Sequence, residues 1–202
     1  MALDQAKLRT ELAKVMDQDD PLFVGYPDTP VEIATNFCNA YNAYTLDATD
    51  ASGDSFLTLP NLALMISTLV SNLPAAVLGT PVLAAAAFEA AFVAYWSSSP
   101  VTFNILNLIG LPLCPNIGVP PANDVWGLEL TSVVTAVTPG VLQNLLLTMF
   151  SVNSIDTQAK ITEMRDAFHI ATTQAVFATI IGTDTTPPPV GPYPISNLCT
   201  LF

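Results

Sequence analysis

Basic side chains are scarce in this chain of 202 residues: five Lys and Arg stand against 17 Asp and Glu, for a net charge of −12. Lys7, Arg9 and Lys14 lie near the start and Lys160 and Arg165 near the end, with none between residues 15 and 159. Binding a phosphate backbone depends on clustered cations, so the sequence argues against direct contact with nucleic acid. Histidine occurs once, as His169, and no Ser, Cys or acid stands at a catalytic spacing from it. A nucleophile–base pair would have to be made by the fold, and a packed or surface histidine on a helix is the expectation. The nine glycines are scattered, and none forms a phosphate-cradling GxGxxG or GxxxxGK[ST] loop. A spanning helix needs about 20 consecutive apolar residues. The uncharged run 101–121 is interrupted by Pro112, Pro115, Pro120 and Pro121, and the run 82–96 is short and carries Glu89. No membrane span and no cationic signal start is expected.

Cysteine is also sparse, and its spacing lacks the CxxC or Cys/His clusters of a zinc site. Cys38 falls inside a helix and reads as a small buried residue. Cys114 and Cys199 lie in the segments Leu-Cys-Pro and Leu-Cys-Thr and are candidates for a disulfide, within or between subunits. Asp47, Asp50, Ser52 and Asp54 form the one dense acidic loop. Oxygen ligands at short spacing beside a glycine are a calcium-loop feature, but the closing bidentate Glu is missing. Turn formation accounts for these residues equally well, so neither metal nor cofactor is expected. Glu163 and Asp166 adjoin Arg165 and read as a solvated face, not an acid–base pair.

About half of the residues are apolar and only 11% are charged, where a soluble domain averages roughly 25% charged. Without a membrane to take it, the surplus apolar surface points to burial against other subunits. Its organisation is repetitive. Residues 29–45, TPVEIATNFCNAYNAYT, align with residues 80–96, TPVLAAAAFEAAFVAYW. The two share aromatics at Phe37 and Phe88, alanines at Ala40 and Ala91, aromatics at Tyr41 and Phe92, and Ala-Tyr at Tyr44 and Tyr95. In each case a Thr N-cap precedes Pro at the first helical position, where its missing N–H is harmless. Glu32 completes a capping box with Thr29.

Each long helix follows a shorter one. Residues 4–17 form an amphipathic helix capped by Asp4, with Leu8, Leu12, Val15 and Met16 on one side. In the long helix that follows, Ile33, Phe37, Ala40, Tyr41 and Tyr44 make the apolar face. Residues 61–73 carry Leu62, Met65, Ile66, Leu69 and Leu73 on one face. A third pair follows Thr138-Pro139: residues 141–152, then a helix capped at Asp156 or Thr157 and running to Ile181, with Gly182 as its C-cap. Phe168, Ala171 and Ala175 echo the Ala-and-aromatic stripe. Glu89 is placed on the rim, facing solvent or a partner. Residues 101–109 read as a strand or a buried extended arm. Residues 126–138 are rich in β-branched side chains, which favours a strand, although a helix is preferred here because neighbouring helices can override that tendency.

The expected fold is therefore all-α: about six helices in hairpin repeats at 4–45, 61–97 and 139–181, forming a single domain over residues 1–182. An irregular Pro-rich insertion occupies 98–125. An extended arm spans 183–202; its polyproline run gives it a reach of roughly 60 Å. The arm ends in Tyr193, Ile195, Leu198, Leu201 and Phe202, suited to docking on a neighbour, with folding back onto its own domain as the alternative. Phe37, Tyr41, Tyr44, Phe88, Phe92 and Tyr95 are the expected packing seam.

The opening MALDQAKLRTELAKVM, the helices FCNAYNAYT and AFEAAFVAYW, and the final helix running into GTDTTPPP resemble a group of small virion proteins of contractile-tailed bacteriophages. Members begin Met-(Ala/Pro)-Leu-Asp, followed by a Leu-rich helix and an Ala- and aromatic-rich helix ending near Tyr-Ala. The Pro-rich insertion and the loop at 47–54 depart from the simpler members. The resemblance implies a non-enzymatic tail, baseplate or neck component, located in the virion, whose partners are copies of itself and other virion proteins. A membrane-active helical protein is the alternative, but its helices should carry basic polar faces, and these do not.

Overall fold

The computed structural model describes residues 3–49, 55–77, 80–97, 100–103, 130–152, 156–182 and 198–200. Six helices account for most of them: α1 (Gln5–Met16), α2 (Pro30–Thr45), α3 (Leu62–Val77), α4 (Pro81–Ser97), α5 (Val141–Ser151) and α6 (Thr157–Ala175). Five short strands follow or precede them: β1 (Phe56–Thr58), β2 (Thr102–Phe103), β3 (Leu130–Val137), β4 (Val176–Gly182) and β5 (Leu198–Thr200). They form one antiparallel meander in the order β1-β2-β3-β4-β5.

The helix starts follow the local chemistry. Asp4 accepts a hydrogen bond from the Ala6 N–H at 2.8 Å. Thr29 and Glu32 make the reciprocal capping box, with Pro30 at the first position. Asp156 caps α6 through the Gln158 N–H at 2.9 Å. The apolar faces are largely where periodicity puts them: Leu8 and Leu12 on α1, Met65, Leu69 and Leu73 on α3, and Phe168, Ala171 and Ala175 on α6 are buried. Ile33 is an exception. It stands exposed one turn before Phe37, and Ala34 is buried in its place.

The fold departs from an all-α expectation because of the sheet. Residues 130–137 are a strand, not a helix. The long last helix stops at Ala175, six residues short of Ile181, and the chain continues directly as β4. Gly182 therefore ends a strand and caps no helix. The physical reason is shared: Val133, Val134 and Val137 pair opposite Thr179, Ala178 and Val176, and β-branched side chains suit a pleated surface better than a helix. Pro139 does not open α5 either. The Thr138 N–H is bonded to the Ala175 carbonyl at 2.7 Å, and the helix starts after Gly140, which has φ of +85°. Residues 102–103 are a strand, as one of the two readings of that segment had it. Part of the C-terminal arm, Leu198–Thr200, pairs with β4 of its own chain, the alternative to docking on a neighbour. Cys114, Tyr193, Ile195, Leu201 and Phe202 and the acidic-loop residues Asp50, Ser52 and Asp54 lie outside the described residues, as does most of the insertion.

Neighbouring helices pack in a closed circuit: each of α1 to α6 touches the next, and α6 returns to α1. Lys7 at the start of α1 reaches Asp47 just past the end of α2 at 2.6 Å, and the Asn61 N–H before α3 is bonded to the Tyr95 carbonyl late in α4. These pairs are therefore antiparallel. The long helices run in the same sense, since Phe37 meets Phe88 and Tyr41, one turn on, meets Phe92 and Tyr95. The sheet sits where the long helices end. The connection from α1 to α2 lies at the opposite end.

Candidate functional site: the aromatic seam and its buried polar network

The long helices α2, α4 and α6 meet through aromatic rings. Phe37 lies edge-on to Phe88 with centroids 4.8 Å apart, Phe37 and Phe168 are 5.1 Å apart, and Phe88 and Phe168 are 6.2 Å apart. One turn further on, Tyr41 contacts Phe92, Tyr95 and Phe168 at 6.0, 5.4 and 5.1 Å. Ala40, Ala91 and Ala171, three residues after the three phenylalanines, are all buried. Small residues let the backbones approach while the rings fill the space between them. Each expected seam residue, Phe37, Tyr41, Tyr44, Phe88, Phe92 and Tyr95, is in this cluster or beside it; Phe88 is half-buried.

The rings carry polar groups that satisfy one another. The Thr172 hydroxyl donates to the Phe168 carbonyl at 2.7 Å, so the Tyr41 hydroxyl, 2.7 Å away, donates to Thr172 Oγ1. Tyr41 in turn accepts from Trp96 Nε1 at 3.0 Å. The Tyr95 hydroxyl donates to Asn42 Oδ1 at 2.8 Å and lies 2.5 Å from Thr45 Oγ1. Buried polar groups need such partners to offset desolvation. Among the described residues only Thr102 Oγ1 is buried without one. Replacing Tyr41 by Phe would leave the Trp96 N–H and Thr172 short of a partner while keeping the ring. The expected cost is about 1–3 kcal/mol, read as a lowered denaturation midpoint at unchanged m-value.

Burial raises the pKa of Tyr41, Tyr44 and Tyr95 well above the usual phenol value. Burial likewise pushes the Cys38 thiol up to about 12. These groups are neutral at physiological pH and are poor nucleophiles and bases. The Tyr44 hydroxyl lies 2.7 Å from His169 Nδ1. Burial lowers the His169 pKa; Asp166 opposes the shift and Arg165 adds to it. The two side chains are hydrogen-bonded, and of the packed and surface positions expected from the sequence the ring takes a partly buried one. Because the unfolded state takes up a proton more readily, stability is expected to fall as pH drops below about 6.5. His169→Gln should flatten that part of the profile; an unchanged slope between pH 7 and 5 in urea titrations would contradict the assignment.

Glu89 differs from its expected place on the rim. It is 7% exposed, and its two carboxylate oxygens accept from the Gly140 and Gln143 backbone N–H groups at 2.6 and 2.9 Å. Helix α5 has no side-chain cap of its own. Glu89 supplies it from α4, placing a negative charge at the positive end of the helix. No local signal in the sequence identifies this contact, because 51 residues separate the partners.

Among the described residues no group of three His, Cys, Asp or Glu is placed to hold a metal ion. Asp47, the described member of the acidic loop, is bound to Lys7. The backbone of Cys199 lies opposite Ala178 in the sheet. No helix among the described residues is long and apolar enough to cross a membrane. Comparisons with family models, curated proteins and solved structures give no match to this chain.

Proposed function

We propose that this chain is a structural component of a bacteriophage virion, in the tail, baseplate or neck, that acts through contacts between subunits and catalyses no reaction. The observation that carries the reading is a division within the molecule. The interior is closed: rings fill the seam, and its hydroxyls, indole and carboxylate bond to one another or to backbone. The exterior is incomplete, with large apolar side chains such as Leu22, Tyr26, Leu57 and Val82 exposed. A protein that needs partners to cover its surface is organised in this way.

We further read the helical part as three hairpin repeats, each a shorter helix followed by a longer one, with the Pro-rich insertion between the second and third. Phe37, Phe88 and Phe168 would be equivalent positions converging on one axis, and Ala40, Ala91 and Ala171 the small residues beside them. The resemblance of the opening helix and the Ala-aromatic helices to virion proteins supplies the location, and the scarcity of Lys and Arg fits a part that does not touch the genome. Sedimentation of the purified chain tests the reading: self-association at micromolar concentration is expected, and a monomer at all concentrations, with no complex formed on co-expression with other virion proteins, would contradict it.

A further inference from the structure

Exposed apolar side chains are confined to the two ends of the helical bundle. Leu46, Leu57, Leu59 and Leu64 stand at the sheet end, beside β1 and at the end of α2 and the start of α3. The other exposed large side chains stand at the far end. Leu22, Val24 and Tyr26 lie on the connection from α1 to α2, and Val31 follows in the first turn of α2. Val82 and Leu83, in the first turn of α4, are at the same level, because Phe37 and Phe88 meet seven residues after Pro30 and Pro81. The flank is polar: Thr10, Ser67, Ser71, Thr148 and Glu163 are its exposed positions on five helices.

The far end is also acidic. Asp17, Asp19, Asp20, Asp28 and Glu32 are interleaved with its apolar residues, and no Lys or Arg occurs between residues 15 and 159. None of these five carboxylates is in an ion pair among the described residues. Asp17 and Asp20 accept hydrogen bonds from neutral groups, the Gln158 side chain and the Leu22 N–H, and Glu32 accepts from the Asp28 and Thr29 N–H groups. Such bonds leave the charge unneutralised. Lys14 is held by Glu11, and Asp156 and Lys160 at the start of α6 offset each other. Arg9 reaches this end through Gln158, and an excess of negative charge remains when it is counted.

The surface is held ready. The Val24 N–H is bonded to the Lys14 carbonyl at 2.9 Å, the Phe23 and Tyr26 rings meet edge-on at 5.3 Å, and the Tyr26 hydroxyl is bonded to Gln18. Side chains fixed outward have already lost part of the entropy that docking would cost.

We propose that this end docks a different protein chain whose contact surface sets Lys or Arg among apolar side chains. Complementary charge selects the partner and speeds its approach, and apolar contact covers Leu22, Val24 and Tyr26. A second copy is the poorer fit: three of its five cations are held in ion pairs, and two far ends set together would repel. The inference rests on the assembly reading and gives that assembly a partner chemistry.

The test measures fluorescence anisotropy of labelled peptides with the full chain at 0.15 M salt, about the ionic strength of the cell. The probe is an amphipathic peptide of Lys and Leu; its counterparts replace Lys by Glu or Leu by Ser. The Lys–Leu peptide should bind at least tenfold tighter than either counterpart. Leu22→Ser with Tyr26→Ser, and Asp19→Lys with Asp28→Lys, should each weaken it at least tenfold. Leu57→Ser at the sheet end and Glu163→Lys on the flank should change it less than threefold, with circular dichroism as the folding control. Equal binding of the Glu–Leu peptide, or binding unmoved by the loop variants, would overturn the proposal while leaving a structural role in the particle intact. Self-association in sedimentation velocity that the loop variants abolish would overturn it and assign the end to a second copy. Binding to phosphatidylcholine vesicles that Leu22→Ser with Tyr26→Ser abolishes would overturn it and assign the end to lipid. Absence of the chain from purified particles would remove the virion reading whatever the peptides show.

Discussion

Phe168→Ala is expected to destabilise the protein by about 3–5 kcal/mol, the range for removing a buried aromatic ring from a core. The reason is its position. Phe168 has no exposed surface and contacts Phe37, Tyr41, Phe88 and Phe92, on both of the other long helices. Truncation removes contacts to α2 and α4 together, and neither helix can close the gap without losing its own neighbours. Phe168→Leu fills part of the space and should lose less. For a chain of this size the alanine variant should unfold roughly 6–20 °C lower. A loss below about 1 kcal/mol, measured by chemical denaturation, would show that the seam is not the centre of the core.

Glu89→Ala is expected to cost about 2–4 kcal/mol. The carboxylate makes two charge-assisted bonds to backbone N–H groups, each of a kind that contributes about 1.5–3 kcal/mol where its loss leaves a buried donor unpaired. The favourable interaction with the helix dipole goes with it. Removing the side chain also deletes a buried charge, which offsets part of the loss. Glu89→Gln retains an oxygen acceptor and should fall between the alanine variant and wild type. Amide exchange would localise the effect, with faster exchange in the first turn of α5 and little change in α1. Equal stability of Glu89→Ala and wild type would return Glu89 to the rim.

The sequence makes the helices and their seam readable for identifiable reasons. Asp4, Thr29 with Glu32, and Asp156 are local signals, and each caps the helix it precedes. The shared spacing of Phe37 with Tyr41 and of Phe88 with Phe92 pointed to one packing surface, and these rings touch. What periodicity missed was decided by distant pairing. Residues 176–181 follow α6 without a break in apolar pattern, yet Val176 is opposite Val137 and Ile181 opposite Thr131. The β-branched content of 130–137 and 176–181 was the available signal, and it outweighed continuation of the helices. The hydrogen bonds of Tyr41 with Thr172 and of Glu89 with Gly140 span 131 and 51 residues, and no local rule finds such partners. The helix around Cys38 and Tyr44 did predict burial correctly, and both are fully buried.

The seam also bears on function. A ligand site is expected to keep polar groups free to meet a ligand, or side chains with pKa values moved towards neutrality. Here burial moves the phenols and the thiol away from neutrality, and the hydroxyls are engaged with one another. Polar chemistry inside the fold holds three helices in register, while the unfinished apolar chemistry is outside. The most direct measurement of a structural role is the copy number of this chain in purified phage particles, by quantitative mass spectrometry against a capsid protein standard. A constant multiple per particle, retained through density-gradient purification and salt washing, is expected. A chain absent from particles, or present at variable sub-stoichiometric levels and removed by washing, would contradict it.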